Sequence, residues 1–115
     1  MGKKKKDTAV VEAGTYTYNT MYRKGIRKPW EPISAGEDTL DPVRFPEGVE
    51  PARISVTLGL TLNLGDYESA KISVTCTLPT PIEELENAYD CAREFAGSKL
   101  VVIKGEVDAN LREKK

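Results

Sequence analysis

The alternation of apolar and polar residues is clearest in the middle of the chain. Every even position from Ile54 to Leu64 is apolar, whereas the odd positions between them are Ser, Thr, Gly or Asn. A second run, residues 69–78, alternates in the same way, again with its apolar side chains at even positions. Alternation of this length is typical of strands that bury one face. Because Gly65–Asp66 breaks the pattern, we predict an antiparallel β-hairpin with strands at about 52–64 and 69–78.

The segment after the predicted hairpin has the start signals and the periodicity of a helix. Thr80 is a good capping residue, Pro81 suits the first helical position, and Glu83 stands where the acid of a capping box belongs. The apolar residues that follow at helical spacing are Ile82, Leu85, Ala88, Tyr89, Ala92, Phe95, Ala96, Leu100, Ile103, Val107 and Leu111. We therefore expect one long helix at about 81–112.

A break in this helix near 97–105 is the alternative. Gly97 and Gly105 each lower helix stability by about 1 kcal/mol relative to Ala. Val and Ile favour strands, so Leu100–Ile103 is a candidate for a short third strand. The helix is preferred because the same apolar stripe continues on both sides of Gly97.

These elements predict an α+β fold, in which the apolar face of the hairpin packs on the apolar stripe of the helix. Gly59, in the middle of the first strand, indicates a bulge or the close approach of another backbone. A hairpin with one helix is a marginal domain, and its strand edges are open. We therefore expect self-association into a homo-oligomer, or pairing of the N-terminal segment with an edge.

Residues 1–51 form a less regular region. Five of the seven prolines fall here, and the β-like runs Thr8–Val11 and Thr15–Tyr18 are short. We predict an extended N-terminal arm, either disordered when free or adding a strand, in front of a core domain at 52–115.

Charge is unevenly distributed, although the formal net charge is only −1. Residues 1–30 carry a net charge of +6, residues 31–52 carry −5, and the remainder carries −2. A basic segment that favours anionic partners thus precedes an acidic, proline-rich segment. The run Lys3–Lys6 by itself is a weak signal, because such runs are commonly solvated tails.

Several function classes lack the residues that they need. The chain has no histidine, which removes the commonest general base, the commonest metal ligand and every Ser-His or Cys-His nucleophile. Cys76 and Cys91 are expected to be free thiols, and they are too few for a structural zinc site. The acids Glu83, Glu86 and Asp90 fit a solvated helix face. We expect no catalytic residues, no metal, no cofactor and no enzymatic activity.

Membrane and secretion signals are also lacking in the sequence. The longest apolar stretch is Leu100–Ile103. It is far too short to cross a membrane, which takes a helix of about 20 residues. The basic N-terminus is followed by Asp7 and Thr8, not by the apolar core of a signal peptide. The expectation is an intracellular protein without a membrane partner.

The best candidate for a binding site is the segment 16–30, which interleaves aromatic and basic residues. The candidate residues are Tyr16, Tyr18, Tyr22, Arg23, Lys24, Arg27, Lys28 and Trp30. Single-stranded nucleic acid is bound in this way, by stacking of bases on aromatic rings and by neutralisation of phosphates. The same composition suits a protein-binding hot spot. The third alternative is that the aromatic residues belong to the core.

The turn between the two predicted strands supports a resemblance. The stretch Asn63-Leu64-Gly65-Asp66-Tyr67-Glu68-Ser69, followed by an acidic helix start, resembles a group of small tailed-bacteriophage and prophage proteins with the signature N-L-G-N/D-Y/F-E-S. The resemblance covers residues 52–97. It implies a phage gene product made in the cytoplasm of a bacterial host, but it supplies no activity. From the residues themselves, we expect Asn63, Tyr67 and Glu68 to form the turn, with a contact surface at the hairpin tip as the alternative.

The resulting hypothesis is an accessory protein that binds nucleic acid, single strands in particular, in phage DNA metabolism. The aromatic candidates would stack on bases while the basic candidates neutralise phosphates. The main alternative is a protein-binding module that inhibits or modulates a host or defence enzyme. A structural component of the phage is a weaker alternative.

Overall fold

A computed structural model describes residues 10–113. They form β1 (Val10–Lys24), β2 (Glu31–Phe45), β3 (Pro51–Gly65), β4 (Glu68–Pro81), a 3-10 turn (Ile82–Glu84) and α1 (Leu85–Glu113). Neighbouring strands are antiparallel, and their order in the sheet is β2-β1-β4-β3. The predicted α+β fold, the β3–β4 hairpin and the long helix are confirmed.

The β3–β4 hairpin provides the face on which the helix packs. Strand β4 lies inside the sheet, and its residues Ile72, Val74 and Cys76 are fully buried. They form one core with Ala92 and Ala96 of α1. The strict alternation in the sequence therefore reflects a sheet face that is covered by a helix along its length.

The helix continues through both of its glycines, so the alternative of a strand at Leu100–Ile103 is wrong. Ile103 and Val107 are buried on the same side as Ala96, and a strand would remove them from the core. The helix start also differs from the prediction. The Thr80 hydroxyl lies in β4 and donates to the carbonyl of Pro81 at 3.1 Å, and α1 begins only after the 3-10 turn.

Of the two alternatives for the N-terminal region, the structure shows strand addition. Strand β1 pairs with β4 from Thr15 to Lys24, and β2 pairs with the outer side of β1. Strands on both sides of the expected boundary at residue 51 thus belong to one sheet. The buried Thr20 interrupts the apolar pattern of β1, which is why the sequence pattern does not reveal the whole strand. Residues 1–9, which include Lys3–Lys6, lie outside the described residues.

Strand β2 is held against β1 by two close contacts. The hydroxyl of Thr20 accepts the backbone N–H of Ser34 at 3.0 Å, and the two hydroxyl oxygens lie 2.8 Å apart. A Cβ atom at Gly36 would overlap the Tyr18 ring, so the absence of a side chain lets this ring lie across β2.

The face of the sheet opposite the helix is open and rich in hydroxyl groups. Ser55 and Thr77 share a hydrogen bond of 2.9 Å, and Thr57 and Thr75 share one of 2.8 Å. The register of β3 and β4 is unbroken at Gly59, so the expected bulge is wrong. The alternative, a close approach of another backbone, is confirmed, since a Cβ there would lie 3.2 Å from the carbonyl oxygen of residue 72.

Candidate functional site

The loop between β1 and β2 and the turn between β3 and β4 meet at one end of the sheet. The backbone N–H of Gly25 donates to the carbonyl oxygen of Tyr67 at 2.8 Å and thereby joins them. We define the basic tip as the loop 25–30, the turn Asp66–Tyr67 and the strand residues Arg23, Lys24 and Lys71. Residues far apart in sequence thus form one surface.

The turn Asp66–Tyr67 holds an exposed aromatic ring on an unfavourable backbone. Gly65 pairs with Glu68, so the loop has two residues, whose φ angles are 53° and 65°. Such loops favour Asn-Gly, because a positive φ costs a residue with a side chain about 1–2 kcal/mol. Tyr67 nevertheless occupies the second position with 75% of its surface exposed. Backbone strain of this kind clusters at functional sites.

The expected turn residue Asn63 does shape this turn. Its Oδ1 atom accepts the backbone N–H of Gly65 at 3.0 Å, beside the register shift between these two residues. The reversal itself lies at Asp66–Tyr67, one residue later than the break at Gly65–Asp66 that the sequence indicated.

Trp30 is the aromatic centre of the basic tip. The Arg23 guanidinium carbon lies 4.4 Å from the centroid of its ring, and Lys71 Nζ lies 4.8 Å from it. Both distances are within the range of cation–π attraction. Lys71 was not among the predicted site residues. Its signal in the sequence is that it is the only charged residue at the odd, outward-facing positions of 69–77.

The basic tip is one pole of a charge-polarised molecule 67 Å long. It holds five cations, Arg23, Lys24, Arg27, Lys28 and Lys71, near three acids, Glu31, Asp66 and the buried Glu68. The connection 46–50 and the 3-10 turn lie at the opposite end of the strands, where the acids Asp41, Glu47, Glu50, Glu83 and Glu84 outnumber Arg44 and Arg53, and Arg53 already pairs with Glu12. An anionic ligand would therefore approach the tip in preference to the other end.

The three predicted tyrosines lie on the other face of the sheet, towards the helix. Tyr16 is only 7% exposed, and its ring meets Phe95 edge-on at 5.4 Å and stacks on Tyr18 at 5.9 Å. Burial, followed by the nearby Tyr18 and two acidic side chains, raises the pKa of Tyr16. Burial and a hydrogen bond to Glu68 raise the pKa of Tyr22. These rings are structural neighbours of the core and are separated from Trp30 by the sheet.

Tyr16 and Tyr18 wall a groove between α1 and the β1–β2 hairpin. Its volume is about 590 Å³, and Ile33, Lys99 and Val102 also line it. The groove exists because one helix covers only β3, β4 and part of β1, leaving the helix side of β2 open. Its lining mixes apolar groups with both signs of charge, so it selects no single class of ligand.

The chain matches no known protein family, no curated protein and no solved structure. Among the described residues, no group of three or more Cys, Asp and Glu side chains is placed to hold a metal ion. Within residues 10–113, α1 is the one long helix, and it is too polar to cross a membrane.

Proposed function

We propose that the basic tip binds single-stranded nucleic acid. The observation that carries this proposal is the turn at Tyr67, where an exposed ring is kept on a strained backbone. Tyr67 lines the same surface depression as Arg23, whose guanidinium in turn lies over the Trp30 ring. A glycine would form the same turn at lower cost, so the ring is retained for a contact outside the chain.

In this proposal Trp30 and Tyr67 provide stacking surfaces for bases. The cations that neutralise phosphates are Arg23, Arg27, Lys28 and Lys71, while Lys24 lies at the rim on the helix side, where it lines a depression with Tyr22 and Glu68. Stacking on aromatic rings combined with a cationic surface gives binding with little sequence preference and a strong dependence on salt. The tyrosines at 16, 18 and 22 support the sheet behind the site and do not contact bases.

The biological setting belongs to the proposal as well. The resemblance at the hairpin turn implies a phage gene product in the cytoplasm of a bacterial host, and the proposed binding would make its role an accessory one in phage DNA metabolism. The self-association expected from the sequence would place two tips in one particle, and linked sites bind one polyanion more tightly than either site alone.

A second candidate function is binding of a host or phage protein. The observation that favours it is Ile26, which is 69% exposed within the loop of the tip. An exposed aliphatic side chain beside aromatic rings and arginine is typical of protein-binding hot spots. An Ile26→Ser variant, which leaves the charge of the tip unchanged, would support this alternative if it lost capture of a host protein while its affinity for nucleic acid stayed the same.

The direct test is a titration with a labelled oligothymidylate at low and at physiological salt. Trp30 is the only tryptophan, so its fluorescence reports occupation of the tip without an added probe. We expect quenching and a rise in anisotropy at micromolar protein, with an affinity that falls steeply as salt increases. Absence of both signals at micromolar protein and low salt would refute the proposal.

A variant of the turn separates binding from folding. Tyr67→Gly relieves the positive φ and should leave the fold as stable as before or more so, whereas loss of one stacking ring weakens binding by about 1–3 kcal/mol. The matched control is Tyr89→Ala, which removes an exposed ring from the helix. An unchanged affinity in Tyr67→Gly would exclude the turn from the site.

A charge variant tests the electrostatic part. Lys28→Gln should weaken binding and reduce the slope of log affinity against log salt by about 1. Lys104→Gln removes a cation from an exposed position of α1 and should leave that slope unchanged. Equal effects of the two variants would indicate nonspecific attraction to the whole molecule.

A further inference from the structure

The two edge strands of the sheet differ in how they are protected. Strand β2 contains Pro32 and Pro42 and carries four acids, and both features discourage pairing with another strand. Strand β3 has its only proline at the first position and its only charge at Arg53. From Ile54 to Leu64 it is uncharged, so it presents a long, unprotected row of backbone N–H and C=O groups. Among residues 10–113, only β4 pairs with it.

We propose that this edge is a dimer interface, at which β3 pairs antiparallel with β3 of a second copy. The two-fold axis stands perpendicular to the sheet, so the product is a continuous eight-stranded sheet with both helices on one face. This arrangement gives the proposed self-association a defined interface, and it does not depend on what the basic tip binds.

The side-chain pattern of β3 complements itself in this arrangement. A perpendicular two-fold axis preserves the two faces, so even positions meet even positions and odd positions meet odd positions. Leu58, Leu60 and Leu62 are half-buried on the helix side and would gain apolar neighbours from the second copy. On the open face, residues such as Thr57 and Thr61 would meet hydroxyl groups. Pairs of apolar side chains and pairs of hydroxyl side chains across neighbouring strands both stabilise a sheet.

The distribution of charge favours a second copy in the same way. Antiparallel pairing places the Gly65 end of one β3, at the basic tip, beside the Pro51 end of the other. The Pro51 end adjoins Glu50 and the acidic 3-10 turn, whose Ile82 donates its N–H to the Glu50 carbonyl oxygen at 3.1 Å. Arg53, the only charged residue of β3, would then lie near the Asp66 that follows Gly65 of the other copy, so opposite charges meet at both ends of the interface and residues 54–64 carry none. Pairing of β2 with β2 of a second copy would instead place acidic side chains next to each other.

Sedimentation of the full chain at micromolar concentration tests the proposal with two matched lysine variants. Thr57→Lys places a charge on the open face in the middle of β3, whereas Thr39→Lys places one on an exposed position of β2. We expect dimers for the unchanged chain and for Thr39→Lys, and at least ten-fold weaker dimerisation for Thr57→Lys. Circular dichroism would verify that each variant is folded.

Cross-linking locates the interface even where a lysine variant fails to fold. Cys91 is exposed and Cys76 is buried, so Cys91→Ser leaves no accessible thiol among the described residues. Single cysteines at positions 55, 57 and 61 of β3 should then give a disulfide-linked dimer at the site nearest the axis, and cysteines at 35, 37 and 39 of β2 should not.

Two contrary results would overturn different parts of the proposed dimer. A monomer at all micromolar concentrations would refute self-association. A dimer that resists Thr57→Lys, or that cross-links through β2, would retain self-association but exclude the β3 edge. Neither result decides whether a single basic tip binds nucleic acid, which is measured separately by the fluorescence of Trp30.

Discussion

The two hairpins of the sheet have strands of almost equal length but very different sequences. The hairpin β3–β4 alternates along both strands, has its one register shift next to the turn, and places its apolar residues under α1. The hairpin β1–β2 has two register shifts, two prolines in β2 and a buried threonine in β1. The difference follows from coverage, because a strand needs a continuous apolar face only where another layer packs on it. Apolar alternation therefore identifies the covered strands and misses the uncovered ones.

Truncation of one isoleucine in each hairpin should give the largest contrast. Ile72 in β4 is fully buried, so Ile72→Ala should lower the free energy of unfolding by about 2–5 kcal/mol. Ile33 in β2 is 44% exposed, and Ile33→Ala should cost less than about 1 kcal/mol. Urea denaturation measures both. Similar losses for the two variants would contradict the difference in coverage.

A smaller but still large effect is expected where β2 touches β1. A methyl group at Gly36 overlaps the Tyr18 ring, so Gly36→Ala should cost about 1–3 kcal/mol by forcing the ring to move. Glu37→Ala, at the next and exposed position, should change stability by less than about 0.5 kcal/mol. If Gly36→Ala were as stable as the unchanged chain, the packing of Tyr18 across β2 would be incorrect.

Alkaline pH should destabilise the fold through the interface of the two hairpins, where Tyr16 faces Cys76 across the β1–β4 pair. Burial raises the pKa of both groups above their ordinary values of 10.0 and 9.0. At alkaline pH the folded chain therefore keeps protons that the unfolded chain releases. The free energy of unfolding falls as pH rises above about 9, whereas near neutrality both groups are protonated in both states and have no effect. Denaturation at a series of pH values should show a shallower decline in Tyr16→Phe. An unchanged decline in that variant would assign the effect to other groups.

The smallest effect concerns glycines with open space around them. A methyl group at Gly105 in α1 would meet no atom of another element within 4 Å, so Gly105→Ala should stabilise the fold by about 1 kcal/mol. Gly48 also has open space around it, but its φ is 89°, which a residue with a side chain rarely adopts. Gly48→Ala should therefore destabilise the fold. Thermal unfolding distinguishes the two signs. Stabilisation by both changes would mean that the connection between the hairpins is not held in the left-handed conformation.

The candidate site was predicted only in part, for an identifiable reason. The basic residues 23–28 and Trp30 were recognised because they are adjacent in sequence, and the structure keeps them together at the basic tip. Lys71 joins them only through the pairing of β1 with β4, which brings Met21 opposite Lys71. Sequence distance groups the tyrosines with Trp30, but the even positions of β1, which hold the tyrosines and Lys24, face the helix, whereas Trp30 lies over Arg23 at an odd position.

The amino-acid sequence by itself determined the β3–β4 hairpin and the helix, because their apolar side chains repeat with the period of each element and must be buried together. Only the tertiary structure decided that Val10–Phe45 completes the sheet, since the backbone hydrogen bonds that add β1 and β2 carry no signature in side-chain type. It also decided the location of the basic tip, because the pairing of β1 with β4 runs to Lys24 and Glu68 and brings two chain reversals distant in sequence together, where Gly25 also donates to Tyr67.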